Sequence, residues 1–108
     1  MSCTVKISKR PNVTIIEVKG ELAGQDSNKL SNKVTEILTH EKGAIALDLS
    51  QTDYVDSPGL GIFIFAWKQA RDQAREVVIL NPSEFVRETL ERTNLDQQFR
   101  IIKAIEEL

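Results

Sequence analysis

Cysteine and histidine are almost absent from this chain: Cys3 and His40 stand alone among 108 residues. A single thiol closes no intrachain disulfide and forms no redox pair, and one thiol with one imidazole cannot complete a structural zinc site. No apolar run approaches the ~20 residues that a bilayer-spanning helix needs, and the opening MSCTVKISKR lacks the apolar core of a signal peptide. The expectation is a cytoplasmic protein that is neither exported nor anchored in a membrane by its own sequence. With three prolines and five glycines, none of them clustered into a linker, no internal boundary stands out, and there is no repeat or low-complexity tract. An excess of either charge is missing too. Fourteen basic against sixteen acidic residues leave a net charge of −2, which gives no general attraction to nucleic acid or anionic lipid.

What is present fits an ordinary globular chain, with 41% hydrophobic and 28% charged residues. A chain of this size folds as one domain, 1–108, and buries roughly two-thirds of its unfolded surface. Thr4 to Ser8 alternates, Pro11-Asn12 punctuates it, and Val13 to Val18 is rich in β-formers, so the chain opens with an antiparallel hairpin. Asp26 or Ser27 caps a helix whose Leu30, Val34, Ile37 and Leu38 share one face, ending near Gly43. Ala44–Leu49, Val77–Leu80 and Phe99–Ile102 read as apolar strands. Helices from Pro58 to about Gln73 and from Glu84 to about Thr93 lie between them, the latter capped by Ser83, and Lys103–Leu108 starts a short final helix. The order β-β-α-β-α-β-α-β predicts an α/β fold: a mixed, mostly parallel sheet opened by the hairpin and covered by helices on one face.

The chemistry concentrates in VDSPGLG, residues 55 to 61. A nucleophilic Ser57 needs a base and oxyanion donors, but His40 is remote in sequence and Val55 stands where the hydrolase elbow G-x-S-x-G has its first glycine. Asp53 and Asp56 could form an acid/base pair, although aspartates here more often shape turns and caps. Gly59-Leu60-Gly61 fails the dinucleotide spacing at Ile64, and no Gly-Lys-Ser/Thr exists for a phosphate loop. No cofactor and no metal are implied. Ser57 reads first as an N-cap with Pro58 at N1. A capping serine also sits at the exposed start of a helix, where an added phosphate is accommodated.

On the helix that follows, Leu60, Phe63, Trp67, Ala70 and Ala74 form one stripe and are expected in the core. Ile62 and Phe65 fall on the other side. Either Phe65 folds over a neighbouring element, or the two form a partner-binding patch near Ser57.

The segment ALDLSQTDYVDSPGLGIFIFAWKQA resembles the signature of the STAS family, the sulfate-transporter and anti-sigma-factor-antagonist domain. VKGELAGQDSNKL is similar to the family's Gly-Glu-Leu segment, and SEFVRETLERTNLDQQFRI to its third helix and last strand, so the likeness spans nearly the whole chain. The resemblance implies a binding module without catalytic activity. It implies that Ser57, the serine after the aspartate in the motif, is phosphorylated by an anti-sigma-factor serine kinase, that the unmodified form binds that partner, and that a phosphatase restores it. Asp53, Asp56, Pro58, Gly59, Gly61, Ile62 and Phe65 are then the partner-binding candidates. The chain departs from the pattern at Ala23, where the family often has an acidic residue, and at Phe65, where several antagonists have a small one.

The resulting expectation is a cytoplasmic, phosphorylation-switched anti-sigma-factor antagonist, a monomer or weak dimer that binds no nucleic acid and no membrane. The alternative is a STAS adaptor that docks on a transporter ATPase or signalling assembly without phosphorylation. Two readings of another class remain: a small enzyme or small-molecule binder using Asp53, Asp56 and Ser57, and a nucleic-acid binder using Lys68, Arg71 and Arg75.

Overall fold

Pro11 and Asn12 turn the first strand back on the second, and Asn12 accepts the left-handed backbone that the turn requires, at φ 64°. The computed structural model describes residues 2–108. Strands β1 (Cys3–Arg10) and β2 (Val13–Leu22) pair antiparallel from Cys3 opposite Gly20 to Arg10 opposite Val13. Helix α1 (Ser27–His40), strands β3 (Ala44–Asp48) and β4 (Thr52–Val55), helix α2 (Ser57–Asp72), strand β5 (Val77–Leu80), helix α3 (Glu84–Arg92) and strand β6 (Arg100–Ile102) follow. The sheet runs β1-β2-β3-β5-β6, and every pairing after the hairpin is parallel.

One strand was not expected. β4 pairs in parallel with the far end of β2, Leu22 opposite Val55, beyond a register break at Gly20/Glu21. TDYV carries Asp53 and an exposed Tyr54, so its alternation is hidden. It is held instead by Thr52, which is fully buried and donates its hydroxyl to Val18 C=O at 2.7 Å. β2 is thus shared lengthwise between β3 and β4, and the chain returns to the end of β2 just before α2 begins.

All three α-helices lie on one face of the sheet. Ile16, Val18, Ile45, Leu47, Val77 and Ile79 point into a core with Leu30, Val34 and Ile37 of α1, Phe63, Ala66 and Ala70 of α2, and Val86 and Leu90 of α3. The alternate strand positions, Val13, Ile15, Ala46, Val78, Leu80 and Ile102, form a second, smaller cluster with Ile105. Ile105 sits in a 3-10 helix, Ile105–Glu107, within the segment expected to start a short final helix. Among the described residues no helix is long and apolar enough to cross a membrane.

The helix ends show how close propensities were resolved. α3 is capped by Ser83, whose hydroxyl accepts from Val86 N–H at 3.3 Å. Asp26, one of the two expected residues, occupies the N-cap position of α1, but its side chain makes no capping hydrogen bond, because the chain enters the helix through a 3-10 turn, Gly24–Asp26. α2 buries Gly59, Phe63, Ala66 and Ala70, a stripe rotated from the expected one. Leu60 and Trp67 are half-buried, because the helix meets neighbours on both flanks of that stripe, and Ala74 is exposed beyond the helix end. Arg75 N–H bonds Ala70 C=O and Ala74 N–H bonds Arg71 C=O, a Schellman closure that places Ala74 at φ 55°.

Two substitutions test this packing. Phe63→Ala should cost about 3–5 kcal/mol in urea unfolding, because the side chain is fully buried. Ala74→Gly should stabilise the protein by about 1 kcal/mol, by relieving the left-handed alanine.

Candidate functional site

Where β2 and β4 end side by side, the backbone of Asp56 bonds the end of β2, its N–H donating to Leu22 C=O at 3.2 Å. Asp56 is extended (φ −94°, ψ −178°) and is the N-cap of α2. This corrects the expected cap by one residue: Ser57 is the first helical residue and Pro58 the second. Aspartate and serine cap equally well, and proline is tolerated throughout the first turn, so propensity alone did not separate the two registers.

The Asp56 carboxylate makes two bonds. Oδ1 accepts from Gly59 N–H at 2.8 Å, closing the helix cap, and Oδ2 accepts from Gly24 N–H at 2.9 Å, in the turn after β2. One side chain therefore ties the helix start to the neighbouring loop. Gly59 allows the close approach: a Cβ there would lie 2.7 Å from Leu22 C=O and 2.9 Å from a Val55 methyl. Gly24 supplies the left-handed turn that brings its N–H to the carboxylate, at φ 57°.

Ser57 stands on this platform, exposed, with no hydrogen bond to its hydroxyl among the described residues. Pro58 is also exposed. Gly61 lies one turn further along the same face, and a Cβ there would meet nothing within 4 Å. Packing does not require this glycine, and mid-helix glycine costs up to about 1 kcal/mol relative to alanine. A helical side chain leans toward the preceding turn, so any residue larger than glycine here would lean over Ser57. The glycine leaves the hydroxyl uncovered.

The other candidates divide. Asp53 is exposed on β4, and its carboxylate makes no hydrogen bond or ion pair among the described residues. Ile62 and Phe65 are half-buried and pack against the main core, so they border the site and also contribute to packing. Ala23 is half-buried beside Gly24, with no carboxylate to offer. Sequence reasoning missed Tyr54, 43% exposed on β4, whose ring packs on Phe85 at 5.3 Å. Recognising β4 as a strand would have pointed Tyr54 outward. His40, the one histidine, ends α1 beside Lys9 and Glu41, toward the far end of the sheet from Ser57. Of the cations considered for nucleic acid, Arg75 is bound to Gly43 C=O at 2.7 Å and Leu38 C=O at 3.3 Å, and burial holds its pKa below that of a free arginine. Arg71 stacks on Trp67 at 4.5 Å.

The STAS domain family model matches residues 4–108. The chain belongs to the STAS family. It is 28% identical over 102 residues to the anti-sigma-B factor antagonist of Listeria monocytogenes, covering 94% of this chain and 90% of that protein. Its fold matches an anti-sigma factor antagonist from Mycobacterium paratuberculosis with a TM-score of 0.87 at 19% identity, over 98% of this chain and 90% of that one. It also matches the Bacillus cell fate determinant SpoIIAA in its phosphorylated form, with a TM-score of 0.76 at 18% identity, over 96% and 95% of the two chains.

The assignment of Asp56 as the cap is testable by stability alone. Asp56→Ala should cost about 1–2 kcal/mol, through loss of the cap and the Gly24 bond, while Ser57→Ala should change stability by less than about 0.5 kcal/mol. Chemical denaturation of the two variants beside the parent chain separates the two registers.

Proposed function

We propose that this STAS protein is a phosphorylation-switched binding module, an anti-sigma factor antagonist that binds an anti-sigma-factor serine kinase while Ser57 is unmodified. The observation that carries this reading is an uncovered hydroxyl at the start of a helix, beside a glycine that packing does not require. Asp53, Asp56, Pro58, Gly61, Ile62 and Phe65 surround it as the docking face, whereas Gly59, expected there from the sequence, is buried against Leu22 and Val55 and seats the helix beneath it. The phosphorylated form solved for SpoIIAA adds support from a protein of the same fold.

The helix start is arranged to carry a phosphate without clamping it. A helix leaves its first N–H groups free to bind an anion. Here Asp56 N–H is taken by Leu22 C=O, Pro58 has none, and Gly59 N–H is held by the Asp56 carboxylate. Only the N–H of Ser57 itself remains. The added charge of about −1.5 to −2 therefore stays exposed, next to Asp56. The fold tolerates it, since a helix N-terminus favours negative charge by ~0.3–1 kcal/mol at an exposed site. A partner that covers the face must desolvate the charge. Without a matching cation this costs several kcal/mol, a hundredfold or more in affinity at ~1.4 kcal/mol per tenfold.

Incubation with the cognate kinase and ATP, followed by mass spectrometry, should map a single phosphate to Ser57, and Ser57→Ala should bind the kinase but remain unmodified. Phosphate on another residue would refute the switch. Gly61→Leu should weaken the complex by tenfold or more while keeping or raising the melting temperature. Binding that is indifferent to Gly61 would move the docking face elsewhere and favour an adaptor role.

A further inference from the structure

The longest open edge of the sheet lies on β1, which pairs with β2 alone. On such an edge every second residue turns its N–H and C=O outward. Two bonds set the phase. Ser2 C=O faces inward, accepting from Glu21 N–H at 3.3 Å, whereas Cys3 C=O faces outward and accepts from Lys29 Nζ at 3.2 Å. Val5 and Ile7 follow Cys3 in phase, and their outward groups find no partner among the described residues.

The same two residues turn half-buried side chains toward the main core, and α1 runs alongside. Two clefts of about 500 and 630 Å³ line this groove end to end, meeting at Lys33. It is bounded by Lys29 on Cys3 C=O at one end and by the Lys9–Glu41 pair, 2.8 Å, at the other. At ~3.4 Å per residue, the six-residue step from Cys3 to Lys9 is about 20 Å, the length of a short strand.

Charge decides what fits. No acidic residue precedes Glu17 in the chain, and Lys6 and Arg10, on the other face of β1, belong to no ion pair among the described residues. A second copy added through its own β1 would bring together two strands that each carry Lys6, Lys9 and Arg10 and no acid. Opposite charges across neighbouring strands are favourable, and like charges are not.

We propose that the groove between β1 and α1 is a second docking surface, taking an extended segment of another protein as an added strand on β1. Apolar residues of that segment face Val5, Ile7 and Ile37, and the alternate residues are acidic and face Lys6 and Arg10. This surface does not depend on Ser57, and a protein that uses both can hold two partners at once.

The test titrates acetyl-Glu-Val-Glu-Val-Glu-Val-amide into the ¹⁵N-labelled full chain, with the Lys-for-Glu peptide as control. The acidic peptide should shift the Val5, Ile7 and Lys9 amides together with those of α1 from Lys33 to Ile37. It should also slow hydrogen exchange at Val5 and Ile7, and Lys6→Glu/Arg10→Glu should weaken binding at least tenfold with the remaining spectrum unchanged. No shift at millimolar peptide, equal shifts with the lysine peptide, shifts centred on Ser57–Phe65, or pairing of two copies through β1 would each overturn the proposal.

Discussion

The carboxylate of Asp56 is the interaction on which the candidate site depends. It accepts from Gly59 N–H and Gly24 N–H at 2.8 and 2.9 Å, joining the start of α2 to the loop after β2. Because Asp56 N–H also donates to Leu22 C=O and Asp56 C=O accepts from Leu60 N–H, four hydrogen bonds hold this residue, and Ser57 inherits its position from them. The serine contributes nothing to the cap. Its hydroxyl is therefore free to be modified without loss of a structural bond.

That platform exists because β2 is long enough to serve two neighbours. β3 pairs with Val13–Glu17 and β4 with Gly20–Leu22, the β4 pairing itself shifting register at Gly20/Glu21. Gly59 lets α2 sit directly against Leu22 and Val55, which any side chain would prevent. Packing of Phe63, Ala66 and Ala70 then fixes the helix on the sheet. The packed helix thus presents Ser57, Pro58 and Gly61 exposed together at its start.

Much of this was legible in the sequence, for identifiable reasons. The hairpin, α1 and α3 follow from periodicity and punctuation: Leu30, Val34, Ile37 and Leu38 are all buried, and Ser83 caps as expected. β4 was not legible, since four residues that include Asp53 and an exposed Tyr54 carry no alternation, and the hydrogen bond from Thr52 to Val18 is long-range. The facing of α2 was misread because Ile62 and Phe65 on one flank and Leu60 and Trp67 on the other are all half-buried, which blurs the stripe. The motif around Ser57 was visible in sequence, but the reasons for its glycines were not. Gly59 answers to a carbonyl 37 residues earlier, and a Cβ at Gly61 would meet nothing among the described residues outside its own stretch of helix.

In the proposed function, the phosphate on Ser57 is a charge displayed on an unchanged fold. Isothermal titration of the anti-sigma-factor kinase with unmodified and fully Ser57-phosphorylated protein tests this most directly. The account predicts a loss of affinity of about a hundredfold or more, with amide shifts between the two forms confined to the α2 start and the Gly24 turn. Equal affinity of the two forms, or shifts spread through the sheet, would contradict it.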